Sequence, residues 1–389
     1  MTDIYNEARW MALTKVLDRD AKKADALIEC FGDTTGIFEA SEDEILSLDF
    51  LKPELARELF EIIHTDPMTE LERITCSGID FYSREHPMFP KSLLAIDPVP
   101  IGLFVKGNLP SEEHKAVAVV GSRTTSNYGR SICEIFCKEF AREGIDVISG
   151  MALGIDSCAH EGTFKGGGKT YAVLGCGVDI CYPRTNHLLY DRLVSEGGII
   201  SEFYPGTVPL NHNFPIRNRI IAGLSDAVLA VEARARSGTL ITVGCALDQG
   251  KEVFALPGRI TDKLSEGCNR LIGMGANPAL DPKEVVAQIK KLAPRASVQR
   301  LKVEYDRAVL TRTPREVYDQ KETARRIEAD EARKVFLALG IEPVCIDEIA
   351  EKSGFEVGKL LEILVSLELE GFAKQAGPCM YVQCIPEAI

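Results

Sequence analysis

The sequence predicts an α/β protein: an extended Rossmann-like parallel sheet with an N-terminal helical domain and a C-terminal winged-helix domain. Three observations predict it. Between Lys115 and Gly275, short runs of β-branched and small apolar residues alternate with helical patterns, the mark of parallel strands covered on both faces. Ahead of them, apolar residues recur at helical spacing. Behind them, two helical stretches lead into a glycine-flanked β segment.

In chain order, residues 4–66 carry helical spacing in Ala8-Arg-Trp-Met-Ala-Leu-Thr-Lys-Val-Leu, Ala26-Leu-Ile-Glu-Cys-Phe and Leu55-Ala-Arg-Glu-Leu-Phe-Glu-Ile-Ile. They read as a domain over 1–66 of the SAM or helix-hairpin-helix kind. Residues 67–110 are rich in proline and end in a short strand, Leu103-Phe-Val-Lys. Strands are expected at Ala116-Val-Ala-Val-Val-Gly, Asp146-Val-Ile-Ser, Tyr171-Ala-Val-Leu-Gly, Gly198-Ile-Ile-Ser, Ala227-Val-Leu-Ala-Val and Val253-Phe-Ala-Leu. Helices are expected between them, near 128–142, 155–164, 188–195, 216–224 and 239–247. With a helix over Lys283–Leu292, the Rossmann domain covers 67–292. A charged linker follows over 293–328, and the winged helix covers 329–389.

The net charge of −13 argues against a polyanionic partner until it is mapped. From Lys115 to Gly275, 17 basic and 16 acidic residues leave +1, while the rest of the chain, with 28 basic and 42 acidic, carries −14. A local basic site in the middle is therefore compatible with an acidic chain. Twelve cysteines show no CxxC pair and no zinc spacing, so free thiols and no metal are expected. No apolar run reaches ~18 residues and the first residues are acidic, so neither a membrane span nor a secretory signal is expected, and a cytoplasmic location is.

Four segments at strand carboxyl ends, where open α/β sheets bind ligands, suit anions. Gly121-Ser122-Arg123 offers a close backbone approach, a hydroxyl and a forked guanidinium. Ser149-Gly150, with Gly154 and Asp156, brackets a turn into a helix. Phe214-Pro215-Ile-Arg217-Asn218-Arg219 places Pro215 at a helix start, which puts cations in the first turns against the helix dipole and hints at an external anion. The alternative there is pairing with carboxylates of the chain itself. Ser237-Gly238-Thr239 opens a helix after a strand, and ordinary N-capping would use the same residues. Lys169 and Lys251 each precede a strand and complete the candidate phosphate contacts. None of the four is a dinucleotide fingerprint. Several anion sites on one sheet edge suit a polyanion better than one nucleotide, with no cofactor and no catalytic residue.

These residues resemble the DprA or Smf family of DNA-processing proteins over roughly Pro87 to Ala276. The likeness runs through Gly121-Ser-Arg with Tyr128-Gly129, Ser149-Gly150 to Gly154-Ile-Asp, Ala172-Val-Leu-Gly-Cys-Gly-Val-Asp with Tyr182-Pro183, and Ser201-Glu202. It continues through Phe214-Pro-Ile-Arg-Asn-Arg-Ile-Ile-Ala-Gly-Leu-Ser, Ser237-Gly-Thr-Leu, Gly250-Lys-Glu-Val-Phe-Ala-Leu-Pro-Gly and Gly267-Cys-Asn-Arg-Leu-Ile. The resemblance implies single-stranded DNA binding, a homodimer through the Rossmann domain, and protection of incoming DNA and loading of RecA recombinase in natural transformation. It also implies phosphate contacts by Arg123 and Lys169.

Two departures stand out. The segment Leu17-Asp-Arg-Asp-Ala-Lys-Lys-Ala has no glycine where a helix-hairpin-helix turn would cradle DNA. The expected recognition helix sets Glu356, Glu362, Glu368 and Glu370 against Lys359 alone, which should repel a duplex and suits protein contact instead. That disfavours a winged-helix transcription factor. A second alternative is the lysine-decarboxylase-like or LOG phosphoribohydrolases, whose PGGxGTxxE block carries a catalytic glutamate. Aligning Gly238-Thr239 with that block puts Thr242 at the glutamate position, and without a carboxylate that chemistry is not expected.

Overall fold

A computed structural model describes residues 3–293, 329–339, 344–377 and 379–383. Beyond residue 293, the linker expected over 293–328 lies outside the described residues. The chain divides into two compact units, Met1–Thr311 and Arg312–Ile389.

The first unit is built on a nine-stranded sheet ordered β1-β2-β6-β5-β4-β3-β7-β8-β9. Its strands are β1 (Asp80–Ser83), β2 (Gly102–Gly107), β3 (Ala116–Val120), β4 (Asp146–Ser149), β5 (Thr170–Val173), β6 (Gly198–Ser201), β7 (Ala227–Ala230), β8 (Glu252–Ala255) and β9 (Asn277–Pro278). From β6 through to β9 all neighbours are parallel, while β1 and β2 add an antiparallel edge. The chain therefore walks outward from β3 to β6, then returns to the other side of β3 to lay down β7. That reversal makes β3 and β7 the switch point of the sheet.

Period-two alternation decides what covers each face. In β3, Val117 and Val119 pack with Phe136 and Phe140 of α7 (Asn127–Arg142), Ile155 of α8 (Ile155–Lys165) and Ile289 of α13 (Pro282–Lys291). Ala116, Ala118 and Val120 face the other way. They meet Ile220 of α10 (Asn213–Gly223), Leu240 of α11 (Gly238–Asp248) and Leu271 of α12 (Glu266–Gly273). Each fully buried Val, Leu, Ile or Phe is worth about 1.5–3 kcal/mol of burial, so a one-residue slip of a strand would be costly. Four elements of this unit were not foreseen: β1, β9, α12 and a helix over Pro67–Cys76, in the stretch read as proline-rich. β1 and β9 are four and two residues long, too short for periodicity to register.

Six helices precede the sheet: α1 (Ile4–Leu17), α2 (Ala21–Phe31), α3 (Thr34–Glu39), α4 (Glu42–Leu46), α5 (Pro53–Ile63) and α6 (Pro67–Cys76). Their core is continuous with the sheet. Trp10, Leu13 and Leu59 share one cluster with Phe104, Ala172, Ile199 and with Leu193 of α9 (His187–Glu196). The turn between α1 and α2 is held from inside. Asp18 and Arg19 both adopt positive φ, 42° and 70°, and the Arg19 guanidinium lies 4.1 Å from the centre of the buried Phe203 ring. A left-handed non-glycine residue costs roughly 1–2 kcal/mol, offset at Arg19 by a desolvated cation–π contact of about 2 kcal/mol.

The second unit holds α14 (Asp330–Ala338), α15 (Ile346–Ser353) and α16 (Val357–Leu369) with a three-stranded sheet, β10 (Val344–Cys345), β12 (Met380–Gln383) and β11 (Ala373–Gly377), in that spatial order. Phe336, Ile349, Leu360, Leu364, Leu367 and Tyr381 form its core. It is a winged helix with one helix, α14, more than the two read from the sequence. No described helix is long and apolar enough to cross a membrane.

The α1–α2 turn yields a paired prediction. Asp18→Gly removes strain at a side chain that is 79% exposed and should stabilise by up to about 1 kcal/mol. Arg19→Gly also relieves strain but loses the Phe203 contact, and should destabilise on balance. Denaturant midpoints of the two variants, moving in opposite directions, check this.

Candidate nucleic-acid interface

The carboxyl ends of β3 and β7 lie side by side at the switch point, and their loops are tied to each other. Ser126 caps α7 by accepting from the Gly129 amide. The Ser126 amide and hydroxyl in turn donate to Glu232, at the end of β7. Glu232 is buried, and a Cβ on Gly129 would fall on its carboxylate. The positive end of α7 is thus occupied by an anion of the chain itself, so it is not the phosphate site expected after Gly121. Gly121 serves packing instead, since a Cβ there would lie within 2.9 Å of three side-chain atoms of Ile155. Ser122 turns inward on its own loop, its hydroxyl donating to Thr124 O at 2.6 Å and accepting from Thr124 N. Arg123, half-buried, is the residue of this trio whose charge reaches the edge.

The end of β4 is turned wholly inward. Ser149 is fully buried and donates to Val119 O at 2.7 Å, stitching β4 to β3. The Gly150 amide donates to Asp156, in the first turn of α8, and a Cβ on Gly150 would sit 2.6–2.7 Å from the Arg217 guanidinium and the Asp156 carboxylate. This loop cradles side chains of the protein rather than a phosphate. Burial pushes the Asp156 carboxyl up to about 6, against the pull of Arg217 and Arg123.

The cations expected in the first turn of α10 lie elsewhere and are buried. The helix starts at Asn213, so Pro215 is its third residue and the three polar residues lie in the second turn. Arg217, Asn218 and Arg219 are buried. Arg217 donates to Gly150 O and Val173 O, joining the ends of β4 and β5, and to Asn218 Oδ1. Arg219 forms a buried ion pair with Glu202, at the end of β6. The anions implied by these arginines are the carboxylates and carbonyls of the chain itself.

Lys169 and Lys251 precede β5 and β8. In a parallel sheet that places them at the edge opposite the strand carboxyl ends, with Lys251 buried. Ser237, Gly238 and Thr239 do stand at the interface edge. Ser237 caps α11 through the Thr239 amide at 3.2 Å, Thr239 is buried, and Gly238 faces open space.

Other residues supply what the expected ones lack. Arg234 and Arg236, in the loop between β7 and α11, are exposed; so are Arg130 on α7, Arg184 after β5 and Arg259 after β8. The signal was legible in Ala233-Arg-Ala-Arg directly after a strand. The loop after β5 and the first turn of α10 bring together an aromatic pair. The rings of Tyr182 and Phe214 stack at 5.7 Å with 24° between planes. Arg123 lies 5.4 Å and Arg217 6.0 Å from the Phe214 centre. Guanidinium, π face and helix N-terminus therefore meet at one sheet edge, where Asp156, Glu202 and Glu232 are buried and Asp179, in the loop after β5, is exposed.

The model of the family described as DNA recombination-mediator protein A matches residues 80–290, more than half of the chain. The chain belongs to that family. A DprA winged helix domain model matches residues 319–377. Protein Smf of Escherichia coli is 38% identical over 288 residues, 73% of this chain and 72% of that protein. DNA processing protein DprA of Streptococcus pneumoniae is 43% identical over 202 residues, 52% of this chain and 71% of that protein. Among solved structures, the pneumococcal DprA aligns with a TM-score of 0.59 at 33% identity, covering 75% of this chain and 97% of that one. DprA from Helicobacter pylori, described for a unique single-stranded DNA binding mode, aligns with a TM-score of 0.50 at 26% identity, covering 55% of this chain and 96% of that one. Most of the blocks that resembled the DprA family fall, in three dimensions, at the carboxyl-end edge of the sheet, while Gly250-Lys251 lies at the opposite edge.

The Asp156 environment gives a pH prediction. An acid raised from 3.8 to about 6 holds its proton more tightly in the native than in the unfolded state. Its stabilising contribution is complete below about 3.8 and is lost as pH rises through about 6. Thermal midpoints of wild type and Asp156→Asn, compared from pH 4 to pH 7, should therefore shift in favour of the variant as pH rises.

Proposed function

We propose that this DprA-family protein binds single-stranded DNA along the carboxyl-end edge of its sheet, protects it, and passes it to RecA recombinase during natural transformation. It acts as a homodimer through the Rossmann domain and catalyses no reaction of its own. The observation that carries the proposal is the half-buried Arg123 over the face of Phe214, itself stacked on Tyr182, on the sheet edge whose loops also carry the exposed Arg234 and Arg236. Arginines that track a backbone together with rings on which bases stack are the combination that single strands need, and duplexes offer no unstacked base to such a ring. The named binding mode of the H. pylori relative supports the same reading. Arg123, Ser237 and Gly238 are assigned to phosphates, with Arg234 and Arg236 added, and Ser122 shapes the Arg123 loop. Gly121, Ser149, Gly150, Arg217, Asn218, Arg219 and Thr239 hold the edge in shape.

A hydrolase reading finds no support at this edge. Thr242 is buried in α11 and offers no carboxylate, and Asp156, Glu202 and Glu232 are each engaged with groups of the protein.

Binding of a fluorescent oligothymidine, followed by anisotropy against salt, tests the interface. Each phosphate contact contributes roughly −0.7 to the log–log slope. Arg123→Ala should flatten the slope by about that amount and weaken binding about tenfold, ~1.4 kcal/mol. Lys169→Ala, on the opposite edge, should change neither. A flat wild-type slope would sink the phosphate assignment. The RecA step is tested separately, by RecA ATPase activity on a strand precoated with single-strand binding protein. Wild type should shorten the lag, and Arg123→Ala should do so poorly.

A further inference from the structure

α16 stands where a DNA-binding winged helix places its recognition helix, and its surface is wrong for DNA. Leu360, Leu364 and Leu367 face the core. A second apolar row faces out: Val357, Leu361, Val365 and Leu369 are 43%, 40%, 51% and 85% exposed. Residues four apart advance about 40° per step, so the four cover an outward arc of about 120°. Leu360, Leu364 and Leu367 already fill the inner face of the helix, so this row is left partly open to solvent.

The charges beside the row are negative. Glu368 falls within the arc and Glu362 at its rim, both exposed. The lone cation of the helix, Lys359, lies on the far side of the helix, pairs with Glu331 and sits 5.3 Å from the centre of the Phe355 ring. Over residues 329–389, eleven carboxylates and five cations leave −6. A phosphate backbone would be repelled. A second copy of the same face would set Glu362 and Glu368 against their own equivalents, an arrangement that like-charge juxtaposition opposes.

We propose that the outward face of α16 is a docking site for a cationic amphipathic helix of a partner protein. Aliphatic residues of the partner lie on the Val357–Leu361–Val365–Leu369 row, and its lysines or arginines lie over Glu362 and Glu368. This is helix-on-helix recognition read as i, i+4, i+8 anchors with a complementary rim. It is independent of the single-strand site on the sheet.

The test uses the full chain and a fluorescein-labelled 18-residue peptide of leucine and lysine patterned as an amphipathic helix. A matched peptide with glutamate in place of lysine is the comparison. Wild type should bind the lysine peptide and not the glutamate peptide. Leu361→Gln with Val365→Gln, and separately Glu362→Gln with Glu368→Gln, should each weaken peptide binding at least tenfold. Circular dichroism should match wild type, and oligothymidine binding should be unchanged. The second pair leaves the apolar row intact, so misfolding of the first does not decide the outcome. Equal peptide binding by wild type and both variants overturns the proposal. So does a duplex-binding activity lost in the Leu361→Gln, Val365→Gln variant, or an oligomer in wild type that the same variant dissociates. The last result would make a second copy the occupant.

Discussion

The hydrogen bonds from Ser126 to Glu232 hold the carboxyl-end edge of the sheet together at its switch point. They join the end of β7 to the first turn of α7 across the switch point, where the two halves of the fold diverge. A buried carboxylate on two donors at a helix N-terminus exchanges water for directed hydrogen bonds and the helix dipole, each bond to a charged group being worth about 1.5–3 kcal/mol. The loop carrying Arg123 and the loop carrying Arg234 and Arg236 are thereby held in one relative position. Gly129 belongs to the same constraint, because only the absence of a Cβ leaves the carboxylate its place.

The same logic runs along the rest of the edge. Arg217 collects the last carbonyls of β4 and β5, Arg219 neutralises Glu202 at the end of β6, and Asp156 takes the Gly150 amide. Buried charges of this kind add little net stability over apolar packing, but removing one partner is expensive. Their effect is to fix geometry. They turn Asp156, Glu202 and Glu232 inward and leave Arg123, Arg234 and Arg236 toward solvent, while Asp179 stays exposed after β5.

The two units divide the electrostatics. The sheet segment is near neutral and concentrates cations at strand ends, while the winged helix is strongly acidic and exposes leucine and valine on α16. A winged-helix scaffold has here been given a surface that opposes the usual use of that fold, which is why fold alone is a poor guide to what the unit binds.

The order of strands and helices through the Rossmann segment was legible in the sequence, because buried parallel strands and amphipathic helices leave opposite periodicities over several residues. The concentration of anion-ready residues after β3 and β7 was legible too, from glycine, serine and arginine at strand ends. What residue type could not decide was whether a given polar group faces water or the interior. Arg217, Arg219, Ser149 and Lys251 look like ligand-binding residues in one dimension, and each is buried. Arg123 looks the same and reaches the edge. The difference lies in partners 17 to 67 residues away in the chain, Glu202 for Arg219 and Gly150 for Arg217, and such pairings exist only once the sheet has brought the strand ends side by side.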